Sequence, residues 1–198
     1  GNIHLLRNKI YSKNSYMQGD TPVVFAHNLF ICPERKIPFE RARFSKFTNN
    51  VVWARTFFKA RQSDLLVQNS IFISRDTAQG NLVLAGGQPV RFEHCAFWGT
   101  RCSTVGGLCT GSNNLTGLDP LFRDTANGDY TLLPCSPLIN AVDNAAVAGL
   151  PTDLAGNSRI QGGRVDIGPY EASVFVPALT TSPQVWGTCG AKNEGRIA

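Results

Sequence analysis

The residues from Leu118 to Glu171 run LDPLFRDTANGDYTLLPCSPLINAVDNAAVAGLPTDLAGNSRIQGGRVDIGPYE. Asn127-Gly128-Asp129 is a strong turn signal between Phe122 and a strand-like Tyr130-Thr131-Leu132-Leu133. Pro134, Pro137 and Pro151 lack the amide hydrogen that a sheet ladder needs, so they discourage further strand extension. A stretch that pairs briefly, turns and then stops extending is suited to capping a β structure whose last layer would otherwise expose an open edge. Asp153 and Asp166 could be metal ligands, but an aspartate in a glycine-rich turn more often bonds to local backbone. We expect no metal site and no cofactor.

Working outward, the chain upstream repeats. A small or polar residue, one variable residue and two apolar residues recur as Asn8-Lys9-Ile10-Tyr11, His27-Asn28-Leu29-Phe30, Asn49-Asn50-Val51-Val52, Asn69-Ser70-Ile71-Phe72 and Cys95-Ala96-Phe97-Trp98. Their starts lie 19, 22, 20 and 26 residues apart. Each follows a strand-like segment such as Val23-Val24-Phe25-Ala26, Leu65-Leu66-Val67-Gln68 or Val90-Arg91-Phe92-Glu93. A unit is therefore a strand, a tight bend at the Asn-like position and a second strand. A third short strand is expected within Thr56–Ala60 and Asn81–Ala85.

Strands at this period without helical periodicity predict stacked rungs of parallel strands. A rung cannot bury its apolar residues alone. Ile10, Leu29, Val51, Ile71 and Phe97 are then expected to pile into an internal column. The recurrent asparagine tolerates left-handed backbone and can bond across rungs as a ladder, which His27 and Cys95 would interrupt. A leucine-rich repeat has a similar period but needs a regular leucine pattern, and a β-sandwich wants turn signals closer together. From Gly99 to Gly117 the chain is rich in Gly, Ser, Thr and Cys and reads as a loop, with Cys102 and Cys109 placed to close it. Asn114-Leu115-Thr116 within it is a glycosylation sequon.

The ordered pieces DPLF, NGDYTL, SPLINA, TDLAGN and QGGRVDIGPYE resemble the C-terminal closing segment of right-handed parallel β-helix proteins of the pectate-lyase-like kind. The resemblance is to endings found in many large bacterial surface and secreted proteins and in some β-helical polysaccharide lyases. It implies an all-β, right-handed parallel β-helix with a C-terminal capping segment. Residues 1–117 would form the rungs, 118–171 the closing segment and 172–198 an extended tail. Ser173–Val176 could add one strand, and Trp186 and Cys189 could dock the tail. The family usually carries Asp-Ala-Gly where this chain has Asn140-Ala141-Val142, so the local turn is expected to differ.

Composition agrees with a strand-and-turn protein: 198 residues, 42% hydrophobic but only 17% charged, with 19 glycines and 12 phenylalanines. No apolar run approaches the roughly 20 residues that span a membrane. The opening Gly1-Asn2-Ile3-His4-Leu5 already reads as a strand and suggests a processed or trimmed chain. The six cysteines match no metal-finger spacing, so disulfides and an extracellular or cell-surface setting are expected, with buried thiols as the alternative.

The net charge of +5 is concentrated between Glu34 and Arg61. Arg43, Lys46, Arg55, Lys59 and Arg61 are the candidate ligand-binding residues for an acidic glycan, against the plainer reading of a solvated basic face. The basic residues match no nucleic-acid-binding module. Two functions follow. One is a structural or adhesive extracellular module of a larger surface or filament assembly, in which a neighbouring subunit or a preceding portion of chain covers the rung at Ile3 to Leu6. The alternative is a lyase on an acidic polysaccharide. It would need a cation to neutralise the uronate, a base and an acid, drawn from Lys46, Arg55, Lys59 and Arg61 or from His27 and His94.

Overall fold

The computed structural model describes residues 2–13, 19–34, 39–40, 42–55, 58–59, 65–74, 81–83, 90–104 and 109–172. Along them run β1 (Ile3–Leu6), β2 (Lys9–Tyr11), β3 (Gly19–Ala26), β4 (Leu29–Cys32), β5 (Phe39–Glu40), β6 (Ala42–Thr48), β7 (Val51–Ala54), β8 (Phe58–Lys59) and β9 (Leu65–Gln68). Then follow β10 (Ile71–Ile73), β11 (Asn81–Val83), β12 (Val90–Glu93), β13 (Ala96–Trp98), β14 (Arg101–Thr104), β15 (Cys109–Ser112), β16 (Leu115–Thr116), β17 (Phe122–Asp124) and β18 (Asp129–Leu132). The first sixteen form three parallel sheets: β1-β3-β6-β9-β12-β15, β2-β4-β7-β10-β13-β16 and β5-β8-β11-β14. Successive rungs thus contribute one strand to each sheet in turn, which is a parallel β-helix.

The first two sheets meet at a bend whose residue is always left-handed: Arg7, His27, Asn49, Asn69, His94 and Asn113 have φ between 49° and 60°. Asparagine and histidine are among the residues that reach this region most readily. The bend therefore falls one residue before the expected Asn8 and Cys95. The next column, Asn8, Asn28, Asn50, Ser70, Cys95 and Asn114, carries the ladder. Asn28 Oδ1 accepts from the Asn8 amide at 2.9 Å, Asn50 Oδ1 from the Asn28 amide at 2.9 Å, and Asn114 Oδ1 from the Cys95 amide at 2.8 Å. Each asparagine Nδ2 reaches back to a carbonyl of the preceding strand, at Leu5, Phe25 and Phe92.

Cys95 does not interrupt this ladder. Its thiol accepts from the Ser70 amide and lies 3.5 Å from the Val67 carbonyl and 3.4 Å from that of Glu93. His27, one column over, forms a ladder of its own with Asn49 and Asn69.

The interior is aromatic. Phe25, Phe30, Phe39, Phe44, Phe47, Phe72, Phe92 and Phe97 pack together with Val52 and Val67. The inward column of the second sheet is Ile10, Phe30, Val52, Phe72 and Phe97. Leu29, Val51 and Ile71, expected inside, face outward against the closing segment. Strands buried on both faces show no alternation, so periodicity could not tell one side from the other.

The span from Gly99 to Gly117, expected as a loop, contains β14, β15 and β16 and completes a sixth strand in each long sheet. Polar residues and glycine hid it. Gly111 has φ 130°, and a Cβ there would meet the Phe92 carbonyl oxygen at 1.8 Å, so the close approach to the rung below requires glycine.

The closing segment turns as expected: β17 and β18 pair antiparallel, and Gly128 ends the intervening 3-10 turn at φ 78°. Its position differs from a lid on the last rung. Phe122, Tyr130, Leu132, Leu138, Val142, Val165, Ile167 and Tyr170 lie along the outer face of the second sheet. The segment reaches the first rung, where the Arg7 guanidinium donates to the carbonyls of Thr152 at 2.8 Å and Asp153 at 2.9 Å. Val142 does not spoil the turn, because Asn140 takes the left-handed conformation at φ 53°. The proposed strand 173–176 and the tail to residue 198 fall outside the described residues.

Candidate functional site

The basic candidates are divided among the sheets. Arg43 and Lys46 are both on β6, the first exposed and the second half-buried, with Lys46 opposite Val24 of β3. Arg55 follows β7 at the far end of the second sheet, and Lys59 belongs to β8 in the third. Arg61 and the Lys59 side chain lie outside the described residues. Of the candidates described, only Arg43 and Lys46 are thus brought onto one strand; Arg91 of the same sheet lies two strands away, across β9, and pairs with Glu93 at 3.3 Å.

The most concentrated charge is buried where the closing segment meets the bends. Arg159 is 1% exposed. Its Nη1 contacts Glu171 Oε1 at 3.0 Å and donates to the Gly168 carbonyl at 2.9 Å, and its Nη2 reaches the Asp166 carbonyl at 3.3 Å and Asn49 Oδ1 at 3.4 Å. Gly168 holds φ 107°, a backbone state that favours glycine, and a Cβ there would crowd Ile71 Cδ1 at 2.7 Å. The Gly168 amide bonds the Asn69 carbonyl at 3.1 Å.

Backbone amides donate to the carboxylates of this cluster. Asp166 accepts from the amides of Asn140 at 2.7 Å and Ala172 at 2.6 Å. Asp153 accepts from the amides of Asn157 at 2.8 Å and Glu171 at 3.0 Å. No group of three or more His, Cys, Asp or Glu side chains that could hold a metal is found among the described residues. Burial pushes the Glu171 and Asp166 carboxyls upward, Arg159 pulling both back, and it pushes Arg159 downward against the three surrounding carboxylates.

His27 is 1% exposed and its pKa is pushed down to about 3, first by burial and then by the charges of Arg159, Arg7 and Lys46. Its Nε2 lies 3.0 Å from Asn49 Nδ2, and Asn49 Oδ1 already accepts from Asn69, so the amide donates and the imidazole is neutral with its proton on Nδ1. His94 Nε2 makes the matching contact with Asn113 Nδ2 at 3.1 Å. Both histidines are bend residues.

Cys32 and Cys95 are buried thiols, and burial pushes Cys95 up to about 12. Cys135 is disulfide-bonded, but no complete disulfide pair lies among the described residues. The sequon is built into the coil: Asn114 Nδ2 donates to the Phe92 carbonyl at 2.9 Å. No helix among the described residues is long and apolar enough to cross a membrane.

Sequence reasoning named Asp153 and Asp166 but not Arg159 or Glu171. The available signal was the order of Arg159 and Arg164 followed by two acids, Asp166 and Glu171, in a short stretch that ends on Val165, Ile167 and Tyr170. Compared with protein-family models and with curated proteins, the chain matches none.

Proposed function

We propose that the chain is a structural or adhesive β-helical module acting outside the cell or at its surface, within a larger surface or filament assembly, and that its outer face contacts an acidic glycan. One observation carries this reading. The buried carboxylates of Asp153, Asp166 and Glu171 bond within the closing segment and His27 bonds within the coil, while Arg159 joins the two by reaching Asn49, so these groups are spent on structure. The outcome is a stiff body whose contact chemistry is left to exposed side chains, with Arg43 and Lys46 as the described cations on one strand. A glycan carboxylate or sulfate would pair with them directly.

The pectate-lyase-like alternative needs a cation, a base and an acid converging on one sugar. Arg43 and Lys46 share a strand, whereas Arg55 and Lys59 belong to other sheets. That favours binding over cleavage. A glycan array containing polyuronates, sulfated glycans and neutral sugars tests the proposal. Binding to acidic glycans that weakens with salt and with Arg43→Ala/Lys46→Ala is the expected result. Binding to none of them overturns the glycan reading, and an unsaturated uronate product would turn it into a lyase.

A further inference from the structure

On the first sheet Phe25, Phe47, Val67 and Phe92 point into the core, so the residues on either side of each point outward. Nearer the bend, the outward residues of β3 and β6 are Ala26 and Thr48, both 1% exposed. On the other side the outward column runs Val24, Lys46, Leu66 and Arg91. Val24 pairs with Lys46, Lys46 and Leu66 precede the paired Phe47 and Val67, and Leu66 pairs with Arg91. Apolar and cationic residues therefore alternate rung by rung. Val24, Lys46 and Leu66 are half-buried, and the Arg91 side chain is 57% exposed.

The two cations are placed by different devices. Val23 pairs with Phe44 but Val24 pairs with Lys46, so Ser45 is an extra residue, a bulge in β6. The bulge lets Phe44 and Phe47 both enter the core and turns Lys46 outward, whereas strict alternation from Phe44 would send Lys46 inside. Among the described residues no ion pair holds Lys46. Arg91 is steadied by Glu93, whose Oε1 lies 3.3 Å from its Nε, and Gln68 Nε2 donates to the other Glu93 oxygen at 3.3 Å. That contact engages Nε and orients the guanidinium, so Nη1 and Nη2 can take a carboxylate or sulfate from outside.

Neighbouring strands lie about 4.8 Å apart, so Lys46 and Arg91, separated by β9, stand roughly 10 Å apart along the coil axis. Two sugar rings of an extended polysaccharide cover a similar length. A glycan with an acid on every sugar would bring every second charge over an apolar residue, where a carboxylate gives up water without gaining a partner. A glycan with an acid on alternate sugars brings its charges to Lys46 and Arg91 and sets the C–H face of the ring between them on Leu66.

We infer that this strip binds an anionic polysaccharide whose acid groups fall on alternate sugars, lying along the coil axis with its neutral rings over Val24 and Leu66. This deepens the acidic-glycan reading of the outer face and rests on it. The test compares hyaluronan, with a carboxylate on alternate sugars, and polygalacturonate, with one on every sugar, as oligomers of equal length in the same buffer. The wild-type chain is expected to bind hyaluronan more tightly although it carries half the charge. Arg91→Ala should weaken that binding about two- to fivefold, as loss of one exposed charge pair does. Leu66→Lys puts a cation on the intervening rung and should turn the preference toward polygalacturonate. Val24→Lys does the same at the flanking rung and replaces Leu66→Lys if that protein lacks the wild-type far-UV spectrum. Tighter binding of polygalacturonate by the wild-type chain, equally tight binding of a single-stranded oligonucleotide, or a lysine variant with unchanged preference overturns the spacing and leaves the acidic-glycan reading standing. Failure of every acidic polymer to bind overturns both.

Discussion

Phe47, Phe72 and Phe97 stack through the middle of the coil with ring centroids 6.1 and 5.6 Å apart, while on the flank Arg159, Glu171, Asp166 and Asp153 are buried just as deeply among hydrogen-bond partners. The interior is held by non-directional burial plus ring stacking. The flank is held by charges that must meet defined donors and acceptors, since a buried charge without a partner is costly. The difference teaches where specificity lies: the interior makes the coil, and the flank chooses which segment lies on it and in which register.

The largest effects should come from breaking each side in its own way. Phe72→Ala empties the middle of the interior stack and should cost about 3–5 kcal/mol in urea unfolding, with little dependence on pH. Arg159→Met should cost a comparable about 3–5 kcal/mol near neutral pH, because Glu171 and Asp166 lose their cation. Its cost should shrink in acid. A carboxyl raised in the folded state is favoured as the neutral acid, so the penalty of a buried unpaired Glu171 is absent below its unfolded pKa and grows as pH rises. Equal pH dependence in the two variants would remove the distinction.

A middle-sized effect is expected at His27. Its folded pKa is depressed from 6.5 to about 3, so its contribution is present above pH 6.5 and is lost as pH falls toward 3, when the unfolded chain takes the proton. His27→Asn places at this bend the residue that Asn49 and Asn69 already supply. It should be nearly neutral at pH 7 and more stable than wild type by up to about 3 kcal/mol near pH 4, read by thermal melts across that window. A parallel pH profile for both proteins would show that His27 does not set the acid response. The smallest effect sharpens the contrast between buried and exposed charge. Arg123, paired with Asp129 at 3.8 Å and 57% exposed on its side chain, should lose less than about 0.5 kcal/mol on replacement by Ala.

Much of the coil was legible because its signals are local. Alternation in Val23–Ala26 and Val90–Glu93, and asparagine at Asn49 and Asn69, are set by the backbone states of single residues. The frame was legible only to within one residue, because Asn8 and Cys95 follow the bend while Asn49 and Asn69 occupy it. Arg7 and His94 carry no signal that separates them from ordinary strand residues. The candidate site was less legible still: Arg43, Lys46, Arg55 and Lys59 are neighbours in sequence, yet only Arg43 and Lys46 share a strand, while Arg55 follows β7 of the second sheet and Lys59 lies on β8 of the third.

From the sequence alone come the parallel β-helix, the approximate rung length and the turn between Phe122 and Tyr130, all consequences of turn chemistry and apolar spacing acting over a few residues. The tertiary structure decided where that closing segment lies. Leu29, Val51 and Ile71 look interior by composition, but their outward faces accept Phe122, Val165 and Ile167, and the register is set by Arg159 meeting Asn49 and Gly168 meeting Asn69. Those pairs are separated by about a hundred residues, and no local preference encodes a contact that only the stacking of rungs brings within reach.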